Sequence, residues 1–258
     1  LALFLERMDT SIRTRAAAER EFGNPVLAEV GDLLPGTGLS GRQLDARNSD
    51  RFRLLAAQIA SNGSRTLATR GDRTALSILV TSPGPEEGKT TIAALLANAL
   101  AEIGRKVLVV SADLRDPEID RLFSVTSSPG LTDALESQDQ DPLGQRVVTT
   151  DVPGLELLPS GEATDRPTQL LASPRMGKVF AQARARADAV IIDSSPILAS
   201  GDAVLLLNHA DLILVVARSG VTNAEAAGST SQILDRMGSS RWGVILNGVK
   251  SADATGTI

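Results

Sequence analysis

A glycine-lysine-threonine triplet at residues 88–90 is the feature that most constrains the fold. It follows a short apolar, β-branched run from Ala75 to Val80 and precedes a stretch whose apolar residues recur at helical spacing. This order of elements, a strand followed by a tight loop and the start of a helix, is typical of phosphate-binding sites. The loop amides and the helix N-terminus attract phosphate groups. The sequence therefore predicts a phosphate-binding loop, with Lys89 on the phosphates and the Thr90 hydroxyl on a metal ion.

The loop departs from the usual pattern G-x-x-x-x-G-K-[ST] at one position. Pro83 stands where the pattern has its first glycine, and Gly84 follows one residue later. Lys89 is the first lysine of the chain, and positive charge elsewhere is carried mainly by arginine, so Lys89 is not one member of a lysine-rich surface. We predict that six residues of this segment contact a nucleotide, and these are Gly84, Glu87, Gly88, Lys89, Thr90 and Thr91.

Composition and charge exclude several classes of protein. With 258 residues and a net charge of −5, the chain is large enough for one α/β domain and is not expected to bind nucleic acid. No apolar run approaches the roughly 20 residues of a membrane-spanning helix. The chain begins at Leu1 without an initiator methionine, which we interpret as the sign of a piece taken from a longer polypeptide.

Apolar strand-like runs alternate with helical patterns from Thr74 onward. This alternation predicts an α/β fold with a mostly parallel sheet and helices on both faces, the fold class of P-loop NTPases of the deviant Walker type. The predicted strands are Leu76–Val80, Lys106–Val110, Leu155–Pro159, Ala189–Ile192, Leu212–Val216 and Gly243–Leu246.

The N-terminal third has a less regular pattern. It predicts a short strand at Pro25–Val30, a Gly/Pro-rich linker, a helix around residues 52–59 and a polar, breaker-containing approach to the first core strand from Ser61 to Arg73. We therefore divide the chain into a helical N-terminal segment and linker packed on the core at 1–73, the core at 74–250 and a disordered stub at 251–258.

Two predicted strands lead into aspartates, Asp113 and Asp193. Ligands of open α/β sheets lie beyond the carboxyl ends of the strands, so both carboxylates are expected beside the phosphate loop. Either aspartate alone would more often be a helix cap or a turn residue, and the combination with the loop favours a metal site. Mg²⁺ accepts carboxylates, a hydroxyl and phosphate oxygens. The sequence predicts ATP or ADP bound with Mg²⁺, the metal on Thr90, Asp113 and Asp193, and catalytic roles for Lys89, Asp113 and Asp193.

Two further charged residues near the expected site have local interpretations. Arg115 follows Asp113 closely and is predicted to hold the γ-phosphate or to form a surface salt bridge. Asp202 comes soon after the third acidic segment, and we interpret it as a helix cap rather than as a partner of the site.

Several motifs together resemble one family, the bacterial tyrosine kinases that belong with polysaccharide co-polymerases and chain-length determinants. The similar segments are Ser82-x-x-Pro85-x-Glu87-Gly88-Lys89-Thr90, Ser111-Ala-Asp113-Leu-Arg115 and Val190-Ile-Ile-Asp193, which match the family's phosphate loop and its two acidic motifs. The resemblance implies an ATP-dependent protein tyrosine kinase or ATPase. It also implies that Asn247, in a late strand, approaches the adenine.

Three departures from that family bear on activity. Ser111 stands where the family has an aspartate that helps to activate the attacking hydroxyl or to arrange the metal, and serine is not a base near neutral pH. The family's oligomerisation motif Glu-x-x-Arg-x-x-Arg appears as Asp50-x-x-Arg53-x-x-Ala56, which removes one inter-subunit charge contact. The 258 residues include no tyrosine, so phosphate cannot be accepted on a tyrosine of this sequence.

The resemblance also implies a setting for the whole protein. The N-terminal stretch resembles the segment that follows the second membrane helix in fused family members, which implies a domain on the cytoplasmic face of the bacterial inner membrane. Self-association and a partnership with membrane-embedded machinery of polysaccharide polymerisation and export are implied in the same way.

Two alternatives remain open. One is a nucleotide-dependent scaffold that has lost phosphoryl transfer, which Ser111 and the missing tyrosines favour. The other is a septum- or plasmid-positioning ATPase. Those ATPases carry a signature lysine early in the phosphate loop, and no lysine precedes Lys89 here.

Overall fold

The computed structural model describes residues 10–31, 46–70, 75–239 and 241–250. The predicted stub at 251–258, most of the predicted linker and the last residues of the predicted polar approach lie outside the described residues.

Helices and strands alternate along most of the described chain. The helices are α1 (Arg15–Phe22), α2 (Ala46–Arg70), α3 (Lys89–Glu102), α4 (Glu118–Leu122), α5 (Leu131–Glu136), α6 (Pro167–Leu171), α7 (Arg175–Arg186), α8 (Asp202–Leu206) and α9 (Ala224–Arg236). The strands are β1 (Val26–Gly31), β2 (Leu76–Thr81), β3 (Val107–Ser111), β4 (Val148–Thr149), β5 (Leu155–Leu158), β6 (Ala189–Asp193), β7 (Leu212–Arg218) and β8 (Trp242–Val249).

These strands form one sheet in the order β1-β8-β7-β2-β6-β3-β5-β4. Every neighbouring pair is parallel except β4 with β5. The predicted α/β class with a mostly parallel sheet is confirmed, and each of the six predicted core strands is present with boundaries that differ by at most three residues. The order matters for function because β2, β6 and β3 are neighbours, which brings their carboxyl ends together.

Both faces of the sheet are buried, as the near-continuous apolar strands predict. In β6, Val190 and Ile192 face one hydrophobic cluster, whereas Ile191 faces the other. The first cluster is closed by α1, α7 and α9, and the second by α2 and α3. The central strands therefore have no solvent-facing side, and polar chemistry is confined to their ends.

The N-terminal third contributes to the same sheet and to one helical layer. β1 pairs in parallel with β8, and α2 packs on α3. The breakers predicted after Ser61 do not end the helix, because α2 continues to Arg70. A single glycine inside a helix costs only about 1 kcal/mol relative to alanine, so Gly63 does not end it. The division of the chain at residue 73 stays a prediction.

Candidate functional site

The phosphate loop lies between β2 and α3, at the carboxyl edge of the sheet. In the parallel registers, Asp193 at the end of β6 lies opposite Val80 of β2 on one side and Ser111 of β3 on the other. Asp113 follows β3 by two residues. The sheet order therefore brings the loop and both predicted aspartates to one place, although they are far apart in sequence.

Gly88 sets the shape of the loop where it enters α3. Its φ of +95° is in the left-handed region, where glycine is favoured. A Cβ atom at this position would lie 2.4 Å from Nδ2 of Asn247. Gly88 is the N-cap residue of α3 and makes no side-chain cap there, and the N-terminus of a helix attracts anionic groups such as phosphate.

Lys89 forms an ion pair with Asp113, with Nζ 3.0 Å from Oδ2. Nζ also donates a hydrogen bond to Oγ1 of Thr90 at 3.3 Å. Burial lowers the pKa of Lys89, but the nearby carboxylates of Asp193 and Asp113 outweigh burial and raise that pKa overall. The site therefore holds a permanent positive charge between two carboxylates.

Asp193 is completely buried, and neither of its carboxylate oxygens has a hydrogen-bond partner among the described residues. Burial raises the pKa of Asp193 to about 7, against the attraction of Lys89. Buried polar atoms in proteins are almost always paired. The Thr90 hydroxyl lies close enough to Asp193 to lower the pKa of that carboxyl group, although it does not reach hydrogen-bond geometry with either oxygen. A buried carboxylate beside a hydroxyl fits a hard cation such as Mg²⁺, which takes one or two carboxylates and completes its shell with phosphate oxygens and water.

Ser111 lies beside Asp193 in the sheet and shares its burial. Its hydroxyl also lacks a hydrogen-bond partner among the described residues. The position at which the resemblance implies an aspartate therefore carries a neutral hydroxyl beside the candidate metal site, so less negative charge is available there.

The carboxylate of Glu87 makes two hydrogen bonds inside the protein, and its predicted contact with a nucleotide stays a prediction. One oxygen accepts a hydrogen bond from the Gly84 amide at 3.0 Å, and the other accepts from the Thr222 hydroxyl at 2.5 Å. Burial raises the pKa of Glu87 to about 7, although both hydrogen bonds lower it. The Glu87 side chain therefore connects the loop to the segment after β7. Gly84 contributes to this connection because its amide donates to the same carboxylate.

The side chain of Asn247 also contacts the phosphate loop. Its Nδ2 donates a hydrogen bond to the carbonyl of Glu87 at 2.9 Å, and its Oδ1 is buried without a hydrogen-bond partner among the described residues. Thr91, half-buried, is in the first turn of α3. The predicted adenine contact of Asn247 stays a prediction.

Arg115 forms an ion pair with a carboxylate that lies outside the phosphate loop. Its Nε lies 2.6 Å from Oδ2 of Asp202, and its Nη2 donates to Thr168 at 3.0 Å. Asp202 is buried and makes no side-chain cap at α8, so its interpretation as a helix cap is wrong. The ion pair predicted as one of two roles for Arg115 is present, but it is made with a buried carboxylate.

Two residues that support the loop are absent from the sequence predictions. Thr222 binds Glu87, and Arg218 donates a hydrogen bond from Nη1 to the carbonyl of Glu86 at 3.0 Å. Both follow or end β7, which neighbours β2 only because of the sheet order. No local pattern in the sequence marks them.

The chain is similar in sequence to proteins of known family. A family model described as an AAA domain matches residues 86–237. Tyrosine-protein kinase YwqD of Bacillus subtilis is 38% identical over 203 residues, which cover 79% of this chain and 82% of YwqD. This chain belongs to the bacterial tyrosine-protein kinase family. The family predicted from the motifs is thereby confirmed.

Solved structures agree with that assignment. The kinase domain of Escherichia coli tyrosine kinase Etk is 25% identical, with a TM-score of 0.79 and coverage of 95% of this chain and 96% of that domain. The BceF tyrosine kinase domain is 27% identical with a TM-score of 0.78. The MinD cell division protein of Aquifex aeolicus shares the P-loop NTPase fold over 68% of this chain at a TM-score of 0.56. The positioning-ATPase alternative is therefore less well supported than the kinase family.

Some relatives are much longer than this chain. Tyrosine-protein kinase Ptk of Acinetobacter johnsonii is 28% identical over 98% of this chain, but the match spans only 35% of Ptk. In the parts of the chain that the structure describes, no helix combines the length and apolar character needed to cross a membrane.

Proposed function

We propose that the chain binds ATP and ADP with Mg²⁺ and is the ATP-binding domain of a bacterial protein of the tyrosine-kinase type. The observation that carries this proposal is Asp193, a fully buried carboxylate whose two oxygens have no partner among the described residues. It lies beside the Lys89–Asp113 ion pair, where α3 begins. A nucleotide with its cation satisfies these groups together, because the phosphates attract Lys89 and the cation takes the free carboxylate oxygens.

Each residue of the site has a distinct part in this proposal. Lys89 and the loop amides bind the β- and γ-phosphates, so the ammonium group exchanges Asp113 for phosphate oxygen. Thr90 and Asp193 would hold Mg²⁺, which would neutralise negative charge on the phosphates. Asp113, released from Lys89, lies near the incoming nucleophile. The chemistry rests on positioning and electrostatics.

The wider setting belongs to the same proposal. The chain acts at the cytoplasmic face of the bacterial inner membrane, together with machinery that polymerises and exports capsular or exopolysaccharide. Support comes from the motif resemblance and from the family assignment.

Self-association is proposed with a weaker contact than in the family pattern. Arg53 pairs within its own chain, with Glu102 at 3.1 Å and Asp50 at 3.4 Å. Ala56 is fully buried against the core, so the second arginine of the family pattern has no counterpart on this surface.

A second candidate function is a nucleotide-dependent scaffold without phosphoryl transfer. The observation that favours it is Ser111, which places a neutral hydroxyl beside Asp193 where the family has a carboxylate. In this alternative, nucleotide binding changes assembly and thereby polymer length or export, and no acceptor is phosphorylated.

Label transfer separates the two candidates. The chain is incubated with γ-labelled ATP, Mg²⁺ and a tyrosine-rich acceptor peptide, and label is followed on the peptide and on free phosphate. Transfer to the peptide by the wild-type chain supports the kinase, whereas bound nucleotide without transfer supports the scaffold.

The matched control compares two lysines that lie beyond opposite ends of the strands, Lys89 after β2 and Lys106 just before β3. Lys89→Met removes the phosphate-binding ammonium, and Lys106→Met makes the same change at an exposed residue just before β3. Transfer or binding that depends on Lys106 as much as on Lys89 would contradict the assignment of the site.

A further inference from the structure

Glu87 is a buried acid within the phosphate loop, and its two partners are neutral. The side chain is 3% exposed. The Gly84 amide and the Thr222 hydroxyl are its hydrogen-bond partners, at 3.0 and 2.5 Å. Among the residues that the structure describes, none forms an ion pair with it. An ionised carboxylate in this position is a buried charge without a counter-ion, which is costly.

The charged groups around Glu87 are directed elsewhere. From α3, the Lys89 ammonium pairs with Asp113. From the end of β7, the Arg218 guanidinium donates to the Glu86 carbonyl. Glu86 itself is exposed, and so is Arg13 in the N-terminal segment that packs behind Thr222. β8 contributes the uncharged Asn247, on the Glu87 carbonyl.

We propose that Glu87 is a positioning residue that is protonated when the loop holds a nucleotide, so that nucleotide binding takes up a proton from the buffer. This inference rests on the proposed nucleotide binding and adds that this binding is coupled to proton uptake. Phosphate groups bring negative charge close to a carboxyl group in a low-dielectric surrounding, which favours the neutral form of that group.

The hydrogen bonds of the loop accommodate the neutral form. The protonated oxygen donates to Thr222, whose hydroxyl oxygen already accepts from the Arg218 amide at 2.8 Å and has a second lone pair. The other oxygen continues to accept from Gly84. The loop shape is therefore kept while its negative charge is removed.

In the protein without nucleotide, the pKa of Glu87 lies close to neutral pH. Burial raises the pKa of Glu87 to about 7, and the hydrogen bonds from Thr222 and Gly84 oppose that rise. A further rise on nucleotide binding moves a proton onto Glu87 in the range where the free protein is partly ionised.

Calorimetry in buffers of different ionisation enthalpy measures the proton uptake directly. ADP is titrated in the presence of EDTA at pH 7.5 into the wild-type chain, Glu87→Gln and Glu86→Gln. Glutamine has the shape of the protonated acid and keeps both hydrogen bonds, whereas Glu86 makes the same substitution at the neighbouring exposed residue. We expect proton uptake with the wild type and Glu86→Gln, and distinctly less with Glu87→Gln.

The affinities give a second readout. At pH 8.5 we expect Glu87→Gln to bind ADP several-fold tighter than the wild type, up to about tenfold for each unit by which nucleotide raises the Glu87 pKa. At pH 6 the two should agree within about twofold. Titration of Asp193 contributes equally to all three proteins and cancels from the comparison.

The outcomes distinguish this inference from the proposed function. Equal proton uptake in the wild type and Glu87→Gln overturns the inference and leaves nucleotide binding intact. A wild-type chain that binds no ADP, with or without Mg²⁺, overturns the proposed function and the inference with it.

A second pair of variants covers the case that Glu87→Gln does not fold. Thr222→Val removes a hydrogen bond that lowers the Glu87 pKa, so it should move the midpoint of the pH dependence of ADP affinity upward, and Thr222→Ser should restore that midpoint. A midpoint that is the same in all three proteins overturns the inference.

Discussion

Gly88 gives a sharp test of the loop geometry, because an alanine there meets two separate penalties. The left-handed backbone at φ +95° costs a residue with a Cβ atom about 1–2 kcal/mol. The new Cβ would also lie 2.4 Å from Nδ2 of Asn247, so that side chain must move. Its hydrogen bond to the Glu87 carbonyl is then lost, at about 1 kcal/mol. Gly88→Ala should therefore lower the free energy of unfolding by about 2–3 kcal/mol.

The measurement is denaturant unfolding of the chain without nucleotide, supported by the thermal midpoint, which should fall by about 5–10 °C. Gly228→Ala is the matched control, because Gly228 lies inside α9 with no atom within 4 Å of the added Cβ. That change should instead stabilise by about 0.5–1 kcal/mol.

A double-mutant cycle isolates the contact between the two residues. In an Asn247→Ala background the clash is absent, so Gly88→Ala should cost about 1 kcal/mol less than in the wild type. A cost of Gly88→Ala below about 0.5 kcal/mol, or the same cost in both backgrounds, would refute the reasoning about the loop.

Three further predictions follow from contacts around the site. Ser111→Ala removes a buried hydroxyl without a partner among the described residues, so it should raise the thermal midpoint; a fall of several degrees would mean that the hydroxyl is paired. Arg115→Ala leaves the carboxylate of Asp202, whose side chain is 2% exposed, without its cation and should lower the free energy of unfolding by about 2–3 kcal/mol. The control Arg121→Ala removes an exposed ion pair and should cost under about 0.5 kcal/mol. Equal costs for the two variants would contradict the importance of burial at Asp202. Burial raises the pKa of Asp193 from 3.8 to about 7 and that of Glu87 from 4.5 to about 7. Stability should therefore fall as pH rises from about 4.5 to about 7, with each carboxylate contributing up to about 1.4 kcal/mol per unit. Asp193→Asn should remove about half of that slope in pH-dependent unfolding and leave the part due to Glu87, and an unchanged slope would show that Asp193 does not contribute.

The parts of the site that the sequence predicted are those with local signals. Lys89 and Thr90 follow a strand-like run and begin a helix, and Asp113 and Asp193 follow two other such runs. A parallel α/β sheet gathers the carboxyl ends of its strands, so knowledge of the strands was enough to bring these residues together. Their exact pairing, with Lys89 on Asp113 and Asp193 left unpartnered, needed the side-chain geometry.

The parts that were missed depend on contacts between distant segments. The hydrogen bond from Thr222 to Glu87 was not predicted, because the two residues are 135 residues apart in sequence. Asp202 lies where a cap would be, yet its partner Arg115 is 87 residues away. Such pairs follow from the order of strands in the sheet, which periodicity does not determine. The helical extension after Ser61 was missed for a different reason, because a lone glycine is a weak helix breaker.

The central claim is that the loop around Lys89 binds a nucleotide together with Mg²⁺. The most direct test is calorimetric titration of ADP into the purified chain with and without Mg²⁺, repeated for Lys89→Met, Lys106→Met and Asp193→Asn. We expect Mg²⁺ to strengthen binding by the wild type and Lys106→Met, Lys89→Met to weaken it at least about tenfold, and Asp193→Asn to lose most of the Mg²⁺ effect. Binding by Lys89→Met that equals the wild type, or an undiminished Mg²⁺ effect in Asp193→Asn, would contradict the account.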